Sequence, residues 1–119
     1  MASTKFTTSQ IEKFNDRIEN CLNDSPCRCV FEFYLTNIIK KDNLVYTLKL
    51  WMKANESSSF DDDMFDYIDN VDGFNENPLL TLSESHQKFA YVKSECCRLF
   101  NKSDIHRRFI YYLVERHKQ

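Results

Sequence analysis

One glycine, Gly73, and two prolines, Pro26 and Pro78, punctuate the whole of this 119-residue chain. Strand-rich folds turn tightly and often, drawing on glycine for positive φ and on proline for a preset φ. Three such residues are too few for a strand meander, whereas helices joined by polar corners need hardly any. The chain is therefore expected to be all-α.

The spacing of its large apolar residues agrees. From Thr7 to Leu22, the residues Ile11, Phe14, Ile18, Cys21 and Leu22 recur three and four apart, the stripe of one buried helix, with Thr7 and Gln10 as a capping box. The run NDSP, 23–26, ends that helix. A second helix places Phe31, Tyr34, Leu35 and Ile38 inward, widened by Phe33 and Ile39, and a third, after KKDN, lines up Leu44, Leu48 and Trp51 beside Tyr46 and Leu50. Ser59 with Asp62 is expected to cap a fourth helix, with Phe60, Met64, Phe65, Ile68 and Val71 inward and Asp61, Asp63, Asp66 and Asp69 outward. DGFNENP, 72–78, is the clear loop. Thr81 with Glu84 is expected to cap a long helix carrying Phe89, Val92, Cys96, Leu99 and Phe100, and Ser103 a last one carrying Ile105, Phe109, Tyr112 and Leu113. That makes about six helices in one domain, 1–119, with no internal repeat or linker.

Hydrophobic residues form 42% of the chain and aromatic ones 14%, enough for one core without disulfides or metal. The formal net charge is −2 and no block of Lys or Arg interrupts the chain, which excludes the broad footprint of a nucleic-acid binder and points to protein partners. Arg107, Arg108, Arg116, His117 and Lys118 read as a solvated helix end. The start, MASTKFTTSQ, has no apolar leader core, and no apolar run nears the ~20 residues that span a bilayer, so a cytoplasmic setting is expected. Five cysteines, an odd count, suit reduced thiols; neither CRC nor CC has the C-x₂-C spacing of a zinc knuckle, so no metal is expected.

Catalytic patterns are missing. One glycine rules out both G-x-x-x-x-G-K-[ST] and G-x-G-x-x-G. With Gly73 at the turn of a calcium loop, Asn70 and Asp72 fit two ligand places, but the first falls on Ile68 and the last on Leu79. His86, His106 and His117 are expected at the surface. Cys96 and Cys97, the remaining nucleophile candidates, sit mid-helix, away from the cation or helix start that would activate a thiol. The chain is read as no enzyme, with no cofactor.

Two stretches are more specific. Phe14, Ile18, Cys21 and Leu22, then FEFYL (31–35), then DNLVY (42–46), run without a gap in the order and spacing of an RGS domain, the helical module of regulators of G-protein signalling. The far end, FNKSDIHRRFI (100–110), resembles that family's closing pattern, with Asp104, Arg108 and Phe109 in register. The resemblance implies an RGS-like bundle that binds the switch regions of a G-protein α subunit through Asp42, Asn43, Phe100, Asp104 and Arg108. It supplies no reacting group itself, only holding the partner in the conformation that favours GTP hydrolysis.

The chain departs from the family between Asn43 and Asp104, where it is shorter by about a dozen residues, on the order of three helical turns. The family also uses a loop asparagine from that region, for which Asn75 and Asn77 are the candidates although no gapless register carries the role across; Ile105 replaces the usual Ser, and Thr47 the usual Trp. A plainer reading of the same residues is local. Asp42 and Asn43 start a helix, and Asp104 is a first-turn acid with Arg108 as its i+4 partner. The alternative function is a helical scaffold that binds a peptide or another signalling protein in a groove. In either case a membrane is reached only through a partner.

Overall fold

The computed structural model describes residues 5–118, and among these it contains seven α-helices and no strand. They are α1 (Thr8–Asp16), α2 (Ile18–Leu22), α3 (Ser25–Phe33), α4 (Asp42–Glu56), α5 (Asp62–Asp69), α6 (Ser85–Lys102) and α7 (Ile105–His117). A π-helical turn, Tyr34–Ile38, follows α3, and a short 3₁₀ turn, Asn77–Leu80, precedes α6. No helix among the described residues is long and apolar enough to cross a membrane.

The helix expected from Thr7 to Leu22 is two helices. Arg17 is extended (φ −150°, ψ 141°) and breaks it. The carbonyls that α1 leaves unpaired at its end are taken by side chains: the Asn20 amide donates to Lys13 O at 2.8 Å, and the Cys21 thiol lies 3.6 Å from Phe14 O. At the start of α1 the Thr7–Gln10 capping box is present in both directions. Pro26 does not only end what precedes it. It sits in the first turn of α3, where its missing N–H costs nothing, and Asp24 caps that helix by accepting from Cys27 N at 2.9 Å.

Two further caps lie elsewhere than the S/T-x-x-D/E spacing suggests, and a third is shared. Asp61, not Ser59, caps α5, its carboxylate accepting from Asp63 N at 3.1 Å. The α6 helix begins at Ser85, and the Thr81 hydroxyl instead donates to Pro78 O at 3.0 Å. Asp104 holds the N-cap position of α7 without a side-chain cap bond, while Ser103, the expected cap, accepts from Ile105 N at 3.4 Å and donates its hydroxyl to Phe100 O at 2.8 Å. Ile38, expected inward, is half exposed. The π turn closes an i→i+5 bond, Ile39 N to Tyr34 O at 3.1 Å, and the extra residue per turn rotates the following positions off the α-helical face.

The described chain groups into two units, one built from residues 5–40 and 100–118 and the other from 41–99. In the first, α1 packs on α7, and Phe31 of α3 meets Phe100 and Phe109 with ring centroids 5.3 and 4.7 Å away. Tyr34 continues the cluster at 5.4 Å from Phe109 and 4.7 Å from Tyr112. Phe14, Phe31, Phe100 and Phe109 are all essentially inaccessible, each worth about 1.5–3 kcal/mol of burial, and such ring pairs add roughly 0.5–1.5 kcal/mol more.

In the second unit α4 packs on α5, with Leu44, Leu48, Leu50, Trp51, Met64, Ile68 and Val71 buried. The four outward aspartates of α5, Asp61, Asp63, Asp66 and Asp69, are exposed as expected. Phe60 lies 5.5 Å from both Phe65 and Phe89, and its N–H donates to Ser85 Oγ at 3.3 Å. Thr47 is a buried polar residue whose hydroxyl is satisfied by Asn43 O at 2.8 Å. Gly73 takes φ +80°, where a side chain is strained, and so permits the turn out of α5. The loop that follows is clamped from α6: Glu95 accepts from Asn75 N at 2.8 Å, the Tyr91 hydroxyl donates to Asn75 O, and Arg98 donates to Gly73 O at 3.1 Å.

Candidate functional site

The residues singled out by sequence fall in both units. Asp42 and Asn43 open α4 in the second, and Phe100, Asp104 and Arg108 lie at the α6–α7 corner in the first.

Asp42 is the first residue of α4, with Lys41 at the cap position and no side-chain cap bond. Its exposed carboxylate is favourably placed against the helix N-terminus but caps nothing. Asn43 is half-buried and already engaged: its Oδ1 accepts from Asp72 N at 2.6 Å, tying the start of α4 to the end of α5. Its two Nδ2 donors and the second lone pair of Oδ1 remain for a partner. Asn75 and Asn77 are exposed, but the Asn75 side chain turns inward along the chain to accept from Asn77 N at 3.2 Å.

Phe100 is corrected outright. It is 0% exposed, packed against Phe31, and offers a partner no surface. The contact role came from the family resemblance; the helical spacing, which places Phe100 in the inward stripe of α6, is the reading that the burial supports.

Asp104 sits at φ 64°, ψ 13°, one of the few left-handed conformations that Asp tolerates better than bulkier residues. This turn lets the chain leave α6 and enter α7 after a two-residue corner. Its partner is Arg107 rather than Arg108: Nε donates to Oδ1 at 3.0 Å and Nη2 to Oδ2 at 2.6 Å, a two-point fork. That guanidinium holds the Asp104 carboxyl below the usual carboxylate range, helped by the charge of Arg108. The i+4 spacing loses because the left-handed cap rotates the carboxylate off the helical register. Arg108 is left exposed, with no side-chain hydrogen bond among the described residues.

Arg108 borders an open groove of about 670 Å³ lined by Tyr34, Ile110, Tyr111, Tyr112 and Val114, with Arg107 and Glu115 at its edges. Tyr111 is 67% exposed. A smaller apolar pocket of about 240 Å³ adjoins along α1 and α7, sharing Asn15, Ile110 and Val114. This groove was not read from sequence, although RRFIYYLVER carries more large side chains than one core stripe can hold. Tyr111 falls outside the inward set of Ile105, Phe109, Tyr112 and Leu113.

A second cluster lies under α1. His106 is not a surface histidine: its Nε2 is 2.7 Å from Phe14 O, the same carbonyl that Cys21 approaches. A hydrogen bond from Cys27 and the neighbouring His106 bring the Cys21 thiol down to about 7, while Cys27 itself is pushed up by that bond and by burial. Both thiols are fully buried, and among the described residues no three His, Cys, Asp or Glu side chains are grouped to hold a metal ion. Cys96 is buried and its thiol is pushed well up by desolvation, the opposite of an activated nucleophile.

Comparison with family models, with curated proteins and with solved structures finds no match to this chain.

Proposed function

We propose that this chain is an RGS-like interaction domain that binds a G-protein α subunit on the cytoplasmic side of a membrane. Arg108 and Asp104 are the contacts proposed in the first unit, Asp42 and the amide donors of Asn43 those proposed in the second, each by itself, and no group of its own reacts. One observation carries the reading. Of the two stretches that resemble the family, Phe14 to Tyr46 and Phe100 to Ile110, the second and the part of the first up to FEFYL are distant in sequence yet fold into one unit, Phe31 meeting Phe100 and Phe109, while DNLVY falls in the other unit. Faster GTP hydrolysis would follow from binding alone, because a domain that fits the switches in their hydrolytic conformation shifts the partner toward it.

Binding to a panel of α subunits, each loaded with GDP, a GTP analogue or a transition-state mimic, tests this. Affinity is expected only or mainly with the mimic, with single-turnover GTP hydrolysis accelerated in parallel. Arg108→Glu should weaken that affinity at least about tenfold, the scale of one lost charge contact, without moving the unfolding midpoint. An unchanged affinity in that variant removes Arg108 from the interface, and no binding in any nucleotide state overturns the reading.

The apolar groove beside α7 favours a second reading, a scaffold that docks a peptide through Tyr111 and Tyr112. Partner binding indifferent to nucleotide and lost in Tyr111→Ser would select it.

A further inference from the structure

The loop between α4 and α5 reads NESSSFDDD, 55–63. In sequence terms Ser59-x-x-Asp62 looks like a helix cap, but the cap of α5 is Asp61. The serine-to-acid spacing is thus left without a structural use. The three hydroxyls also differ. Ser57 is spent on its own helix end, donating to Lys53 O at 2.7 Å. Ser58 and Ser59 are exposed, lie in no helix, and have no hydrogen-bond partner among the described residues. They line an open polar cleft of about 360 Å³ with Lys53, Glu56 and Asp61.

We infer that Ser58 and Ser59 are phosphorylation sites for an acid-directed serine kinase, Asp61 and Asp62 being the acids that the kinase reads three residues beyond each serine. Kinases choose substrates by charge pattern, and a basic substrate groove finds here Asp61, Asp62 and Asp63, all exposed, following both serines. A kinase needs its substrate extended and its hydroxyl free. This segment has no helix to unwind between Glu56 and Asp62, and the two hydroxyls have no bond to break. In the step, serine Oγ bonds to the γ-phosphorus of ATP as the bond from that phosphorus to ADP oxygen breaks, and the hydroxyl proton passes to the kinase's base. Each phosphate adds about −1.5 to −2 charges at neutral pH, with Lys53 the cation in the same cleft. The site is independent of any α-subunit binding.

The folded 119-residue chain is incubated with ATP and, in parallel, an acid-directed and a base-directed serine kinase, and uptake is mapped by peptide mass spectrometry. The acid-directed kinase is expected to place phosphate on Ser58 and Ser59, and the base-directed one on neither. Asp62→Asn should slow uptake at Ser59 about tenfold or more while sparing Ser58, and Asp61→Asn, which keeps a capping side chain, should do the reverse. Ser58→Ala/Ser59→Ala should abolish uptake in this loop. The proposal is overturned if neither serine is modified, if uptake ignores the aspartate changes, or if it appears only after heat unfolding. Circular dichroism of each variant confirms that the comparison is between folded chains.

Discussion

Phe31→Ala is expected to destabilise the fold by about 3–5 kcal/mol, the range for emptying a buried phenylalanine site. Phe31 is 0% exposed and is the ring on which the two ends of the chain meet, 5.3 Å from Phe100 and 4.7 Å from Phe109. Its neighbours are buried rings on helices of their own, and Phe109 is anchored in turn to Tyr34 and Tyr112, which limits collapse into the space left behind. A domain of this size holds about 5–15 kcal/mol in total, so the variant would sit near its unfolding threshold at room temperature. Urea titration followed by circular dichroism checks this. Tyr111→Ala, 67% exposed on the outer face of α7, is the internal contrast and should change stability by no more than about 0.5 kcal/mol. A loss below about 1 kcal/mol for Phe31→Ala would mean that the ring cluster is not the core of this unit.

The stripes that predict this core were legible because burial and helical period act together. Ile11, Phe14, Ile18, Cys21 and Leu22 are all buried, although an extended residue at Arg17 divides them between two helices. What could not be read is where the backbone changes phase without glycine or proline. Lys40 and Asp104 adopt positive φ, and the π turn at 34–38 shifts the register, yet none of these leaves a mark in composition. Caps were ambiguous for a related reason. Ser, Thr and Asp all accept from a free helix N–H, so when several precede a helix the spacing does not choose among them. In SSSFDDD it is Asp61 that caps, and at the α6–α7 corner Asp104 takes the cap position while Ser103 supplies the side chain that accepts from Ile105 N. The candidate site suffers most from this. Phe100 obeys the helical period equally well as core or as contact, and only the packing of Phe31 against it decides. Arg107 and Arg108 are chemically equal neighbours, and the left-handed turn at Asp104 determines which one is paired and which is free.

Glu95→Ala is expected to cost about 2–3 kcal/mol at neutral pH, and Glu95→Gln to remove much of the fold's sensitivity to acid. Glu95 is a carboxylate within the buried stripe of α6, only 5% exposed. It is tolerable there because every face is answered. Oε1 accepts from Arg98 Nε at 2.7 Å, and Oε2 from Arg98 Nη2 at 2.6 Å and from Asn75 N at 2.8 Å. Truncation leaves the Asn75 amide without its acceptor and Arg98 with Gly73 O alone, so the loop after Gly73 loses one of its three clamps. The Arg98 hydrogen bonds, more than any other cause, hold the Glu95 carboxyl below its ordinary value of 4.5, against the opposing effect of burial. The unfolded chain therefore binds the proton more tightly than the folded one. The stabilisation this linkage gives is fully present above the ordinary value and is lost as pH falls through the lowered native one. Urea midpoints measured from about pH 6 to about pH 3 should fall more steeply in the natural chain than in Glu95→Gln, which has no such proton to take up. Equal slopes would mean that the carboxylate is not held in the charged form by Arg98 and Asn75, and that the loop from Gly73 to Asn77 is fixed by Gly73 and Tyr91 alone.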